Sequence, residues 1–255
     1  MQDRYAGDIG DFGKFSLLRR LFSTPEDRIG VVWYRYPDES HNDDGRHINY
    51  LDDPCFMKCD AYLVKQLSYT VNGQRSIAEL ELLRLLPDQT VYFSNNLDAY
   101  LIHPLQTIID KTARKVLREQ WLIDAVDAVS KCNIIFLDPD NGLEISSLPQ
   151  LNRAKSGKYA YYSEVAEFFN YKNTCVIYHH LNRNKSHTEQ IMFRAKELKE
   201  KILDINCVFA LRYKPYSPRV FFILTHINDT EETKSKINEF LLSDCGNGWD
   251  SYYEN

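Results

Sequence analysis

The chain has no run of about 18 apolar residues, and this excludes a helix built to span a bilayer. Nor does it have a basic excess. Its formal net charge is -5, which argues against a surface that coats nucleic acid while leaving room for a local basic groove. Dense cysteine spacing is absent too. The six cysteines fall at 55, 59, 132, 175, 207 and 245; Cys132, Cys175 and Cys207 open or sit within apolar runs, where buried free thiols are common. The Cys55/Cys59 pair has no second pair to complete a metal site. The opening Met1-Gln-Asp-Arg-Tyr5 carries no apolar signal core. These features together read as a reduced, cytoplasmic chain that does not enter a membrane. No internal repeat or low-complexity segment is present.

What the chain does have is core-forming material and a repeating order. Hydrophobic residues make up 44% of 255 residues and aromatics 13%, enough for one large domain over 1–255. Strand patterns at 29–36, 90–94, 133–138, 174–178, 207–213 and 219–225 alternate with helical stripes. One helical insertion is expected around 54–86, and further helices near 107–131, 163–169, 187–202 and 230–242. That alternation predicts a doubly wound, mostly parallel, Rossmann-like α/β sheet. Pro215 and Pro218 between the last two strands predict a closing antiparallel hairpin.

The chain is organised around Asn133-Ile-Ile-Phe-Leu-Asp-Pro-Asp-Asn-Gly-Leu-Glu144. Its apolar run reads as a strand buried on both faces, ended by Pro139 and turned by Asn141-Gly142. Asp138, Asp140, Asn141 and Glu144 then gather at the carboxyl edge of a sheet, where open α/β proteins bind their ligands. Downstream, Val176-Ile-Tyr178 delivers His179 and His180 to the same edge, and alternation lets at most one of them enter a shared site. Lys155 and Lys158 precede a tyrosine-rich stretch, a mixture suited to phosphates and bases.

Residues 3–13 read as a loop with Gly7, Gly10 and Gly13, Asp8 and Asp11, opening a helix at Lys14. Such a loop can cradle phosphate with its backbone amides, or act as a glycine hook that packs an N-terminal arm on the sheet. The spacing matches neither the P-loop nor the dinucleotide pattern. The first strand runs into a polar loop carrying Asp38, Glu39, His41, Asp43, Asp44 and His47, metal-ligand types without a recognised spacing.

Two of these stretches carry a resemblance. Tyr5-Ala-Gly-Asp-Ile-Gly-Asp11 with Lys14, followed by Asp138-Pro139-Asp140-Asn141, resembles the ribosomal-RNA adenine-N6 methyltransferases. Those enzymes begin with a Tyr…Ala-Gly-Asn…Asp…Lys arm and carry Asp-Pro-Pro-Tyr at the end of the fourth strand. The resemblance implies the class I methyltransferase form of the sheet, S-adenosylmethionine as cofactor and nucleic acid as partner. It implies catalytic roles for Asp138, Asp140 and Asn141, to which the residue reading adds His179 and Lys155. Cofactor contacts would then come from Gly7, Asp8, Asp11, Lys14 and Asp38. This sequence departs from the pattern at Asp140 and Asn141, and no glycine-rich loop follows Ile29–Tyr36.

The same residues admit two other readings. Asp138, Asp140 and Glu144, with Asp38 or Glu39, could hold Mg²⁺ for phosphodiester hydrolysis, with His179 or His180 as base and Lys155 or Lys158 as phosphate clamp, in a defence or toxin-like protein. Alternatively, the missing glycine loop suits a non-catalytic nucleic-acid-binding module on a degenerate methyltransferase fold.

Overall fold

The computed structural model describes residues 1–39, 45–97, 111–147, 154–169 and 173–254. In chain order the main elements begin with α1 (Ile9–Leu21), β1 (Ile29–Trp33), α2 (Pro54–Asn72), α3 (Ile77–Leu82), β2 (Val91–Phe93) and α4 (Lys111–Val129). There follow β3 (Ile134–Asp138), β4 (Gly142–Leu143), β5 (Tyr159–Ala160), α5 (Tyr162–Phe168), β6 (Thr174–His180) and α6 (His187–Lys201). The chain closes with β7 (Cys207–Tyr213), β8 (Arg219–Thr225), α7 (Thr230–Leu242) and β9 (Trp249–Glu254).

The central sheet has seven strands in the order β2-β1-β3-β6-β8-β7-β9. β2, β1, β3 and β6 are mutually parallel, whereas β8 is inserted antiparallel between β6 and β7. This is a Rossmann-like, mostly parallel α/β sheet, as the alternation of patterns predicts. β1 and β3 are fully buried along their length, because helices cover both faces. On one face α1, α2, α3 and α7 pack against Val31, Phe136, Phe221 and Ile223. On the other, α4, α5 and α6 pack against Val32, Ile135, Leu137 and Phe222. Strand alternation thus sorts each strand's side chains into two cores.

Several expectations need correction. The stretch read as a loop over 3–13 is largely helix: Asp8 caps α1, accepting from the amides of Gly10 at 2.7 Å and Asp11 at 3.1 Å. The glycines of that stretch are poor helix formers, and burial of α1 on all sides overrides their propensity. The last segment, beyond the helix expected near 230–242 and outside the six strand patterns, forms the edge strand β9 against β7; Trp249 packs on Tyr213, Phe221 and Phe240, which holds it there. Not all cysteines are free thiols: Cys59 and Cys245, 186 residues apart, form a disulfide. It joins α2 to the turn after α7, inside one apolar core, and so long a separation leaves no spacing signal. Cys132, Cys175 and Cys207 are free and buried as expected. Among the described residues no helix is long and apolar enough to cross a membrane.

Candidate active site at the carboxyl edge of the sheet

From β1 the chain steps outward to β2, and from β3 it steps the other way to β6. The strand order therefore reverses between β1 and β3, the place where doubly wound sheets open a crevice at their carboxyl ends. A cavity of about 220 Å³ lies there. Asp138, Pro139, Asp140 and Asn141 from the end of β3 line it, with Tyr178 and His180 from β6. The N-terminal arm supplies Tyr5, Asp8, Gly10, Asp11 and Lys14, and Arg219 enters from the start of β8.

Lys14 joins the two stretches singled out in the sequence. Its Nζ lies 2.8 Å from Asp11 Oδ1 and 2.8 Å from Asp138 Oδ2, and all three side chains are almost wholly buried. Burial would lower the ammonium's pKa, but Asp11 and Asp138 outweigh it and raise it. Burial instead pushes the Asp138 carboxyl above its ordinary value: it shares its single ammonium with Asp11, and Lys14 and the Met1 amino group offset only part of the shift. Asp138 Oδ1 accepts no hydrogen bond among the described residues.

Asp140 sits in a second polar group. Lys158 Nζ is 3.0 Å away and Gln2 Nε2 donates to it at 2.9 Å. Burial alone would raise this carboxyl; the Met1 amino group and Lys158 outweigh it and hold Asp140 below the usual range. Lys158 also bridges to Glu39. Asn141 lines the cavity with its side-chain amide unbonded among the described residues.

The two histidines part as alternation requires. His180 lines the cavity, and its amide donates to the Asn141 carbonyl at 3.1 Å. His179, the expected catalytic residue, is buried on the other face. Its Nδ1 accepts from the Leu143 amide at 2.9 Å, which assigns the ring proton to Nε2. Burial, then the nearby charges of Arg194 and His180, lower its pKa to about 3, so it stays neutral and positions the loop. Gly142, at φ 107°, is pressed against this ring: a Cβ there would come within 2.3 Å of Nδ1.

Other expected site residues lie elsewhere. Lys155 is exposed, and Lys158 takes the place beside Asp140. Glu144 accepts from the Tyr162 amide at 2.9 Å at the start of α5. Gly7 packs on α2, where a Cβ would meet Val71 at 2.8 Å. Asp38 is exposed and receives the Arg4 amide at 3.3 Å. His41, Asp43 and Asp44 lie outside the described residues, while His47 reaches the cavity wall. The phosphate cradle expected at the arm is not formed: Asp8 and Asp11 take the amides of Gly10, Asp11 and Gly7, and Lys14 is spent on two carboxylates. Arg219 was not foreseen. It carried no motif, and only the direction of β8 brings it here.

No family model matches the chain, and no curated protein matches it. Among solved structures it is similar to protein LPL1258 from Legionella pneumophila str. Philadelphia 1, described under the family-model DUF519. The identity is 13%, the TM-score 0.44, and 98% of each chain is covered. A likeness of that size carries no argument about function.

Two implied ligands can be tested against the residues. S-adenosylmethionine does not fit the crevice as it is packed. Tyr34, next after β1, is fully buried. The Met1 amino group donates to the Tyr34 carbonyl at 2.6 Å, and the Tyr36 amide to the Met1 carbonyl at 2.9 Å. Gln2, also fully buried, bonds to Asp140 and receives the Glu39 amide at 2.9 Å. Residues 1 and 2 thus fill the space between the ends of β1 and β3, and no step is derived through that cofactor. For Mg²⁺, Asp138, Asp140 and Glu144 are each engaged with Lys14, Lys158 or a backbone amide. Among the described residues no group of three or more acids, histidines or cysteines is placed to hold a metal ion.

Proposed function

We propose that this protein is directed at nucleic acid and holds one nucleotide in the cavity at the end of β3, on a methyltransferase-like fold. The observation that carries this reading is the Lys14–Asp138 pair. It brings the N-terminal arm and the Asp-Pro-Asp-Asn stretch, 124 residues apart, onto one cavity at the switch point of the sheet. The resemblance associates these same two stretches with recognition of a base. The antiparallel strand inserted between β6 and β7 supports the same fold type.

The chemistry of the wall agrees. Asp138 Oδ1 is an anionic acceptor in a sheltered site, suited to a donor such as the exocyclic amine of a base. Asn141 offers both a donor and an acceptor beside it. Tyr5 and Tyr178 give flat apolar area at the cavity wall. The hydrolytic reading is less supported because its three acids do not converge. The methyl-transfer reading needs residues 1 and 2 to leave the crevice.

The test is fluorescence anisotropy with labelled single-stranded RNA and DNA, on the full chain and on Asp138→Asn. Micromolar binding that the substitution weakens about tenfold is the expected result. Absence of binding to either strand overturns the proposal. A parallel titration with S-adenosylmethionine reports whether the crevice opens.

A further inference from the structure

We infer that Arg219 is the phosphate anchor of this cavity, an inference that rests on the nucleic-acid reading and deepens it. Arg219 is only 5% exposed and lines the cavity. Its Nε donates to the Ser217 carbonyl at 3.0 Å, and its two terminal amino groups have no hydrogen bond or ion pair among the described residues. A nearly buried guanidinium whose terminal amino groups make no direct ion pair keeps its hydrogen-bonding capacity for an anion that enters the cavity.

The protein holds the guanidinium in place by shape. β8 runs antiparallel to β6, so its first residue falls at the carboxyl edge, paired with His180 and with Tyr213 of β7. Position 10 of α1 faces the fork directly: a Cβ there would lie 2.0 Å from Arg219 Nη1, so a larger residue would push the guanidinium aside. The nearest acid on the arm, Asp8, spends its Oδ1 on the amides of Gly10 and Asp11. Asp11, Asp138 and Asp140 already face Lys14 or Lys158. The planar fork of arginine matches two phosphate oxygens at once. The same cavity is lined by Asp138 and Asn141, which bring the polar groups suited to a base. A ligand that carries both hydrogen-bond donors and a phosphate matches this set of groups. Either a free nucleotide or a nucleic-acid strand brings that chemistry.

The test compares the wild type, Arg219→Gln and Arg219→Lys. The probes are inorganic phosphate and adenosine monophosphate by thermal shift and calorimetry, and a labelled 12-nucleotide strand by anisotropy. Phosphate and the mononucleotide stabilise the wild type, and Arg219→Gln weakens them about ten- to hundredfold. Arg219→Lys, which keeps the charge and loses the fork, falls between. Without ligand, Arg219→Gln melts no lower than the wild type, because the side chain makes one hydrogen bond, to Ser217, and no direct ion pair among the described residues; a purely structural arginine would lower the melting temperature. Phosphate binding that depends on Arg219, with no binding of the strand, keeps the anchor and overturns the nucleic-acid reading. Strand binding equal in the wild type and Arg219→Gln overturns the anchor and keeps that reading. Silence with every probe overturns both.

Discussion

Two buried ion pairs connect to Tyr34, one directly and one through Met1, yet they are built on opposite principles. Arg118 and Glu164 meet fork to fork, Nε to Oε1 at 2.5 Å and Nη2 to Oε2 at 2.8 Å. Glu164 also takes the Tyr161 amide at 3.0 Å and the Tyr34 hydroxyl at 3.3 Å, while the guanidinium lies over the Tyr161 ring at 4.5 Å. One cation faces one anion, and the carboxylate's remaining acceptor sites are taken by its neighbours. At the other end of Tyr34, whose carbonyl accepts from Met1, Lys14 is shared by Asp11 and Asp138. Charge there is unbalanced, and an acceptor is left facing the cavity. A carboxylate whose acceptor sites are all taken is a fastening; one that leaves an acceptor facing a cavity is a place for a ligand.

The largest effect should come from breaking the saturated pair. Glu164→Ala strands the Arg118 guanidinium among aromatic rings and should cost about 3–5 kcal/mol, read from the urea midpoint. Replacing both partners together, as Arg118→Met with Glu164→Leu, should recover much of that loss. An additive double variant would contradict the coupling described here. The unsaturated pair should respond with the other sign. Asp138→Asn leaves Lys14 with one partner, Asp11, and should be neutral or more stable by about 1 kcal/mol at pH 7, while strand binding falls. Because burial raises the Asp138 carboxyl, its contribution is greatest when protonated and is lost as pH rises through its folded value. The variant should therefore lose less stability than the wild type on going from acid to neutral pH. Urea unfolding at several pH values tests this; an equal loss in both proteins would contradict it.

The smallest effect concerns His179, which holds the loop between the cavity and β6. Its folded pKa of about 3 lies below the ordinary 6.5, so between these values the unfolded chain takes up a proton that the folded protein refuses. That part of the stability is present above pH 6.5 and is lost on acidification, by about 1 kcal/mol between pH 7 and pH 5.5. His179→Gln, which keeps an acceptor for the Leu143 amide, should remove this pH dependence. Equal slopes for the two proteins would place the titration elsewhere.

Much of the sheet was legible in the sequence. Cys207–Tyr213 and Arg219–Thr225 stand as read, because continuous apolar runs bounded by Pro215, Pro218 and polar turns have few other ways to fold. The helix from Ile9 was hidden by Gly10 and Gly13, residues whose propensity argues for a loop and whose burial decides for a helix. At the site, Asp138 and its neighbours announced themselves by strand-end chemistry. The choice between His179 and His180 did not, since alternation says only that the two differ, not which one faces the cavity.

The sequence by itself therefore determined the α/β class, the buried central strand and the gathering of polar residues at its carboxyl end. These depend on local periodicity and turn chemistry, which are written within a few residues of one another. Only the tertiary structure decided that Lys14 would be shared between Asp11 and Asp138, that Met1 and Gln2 would fill the crevice, and that Arg219 would be carried unpaired to its wall. Each of these depends on strand order and direction, which bring together groups up to about 200 residues apart, and no local pattern encodes a meeting at that distance.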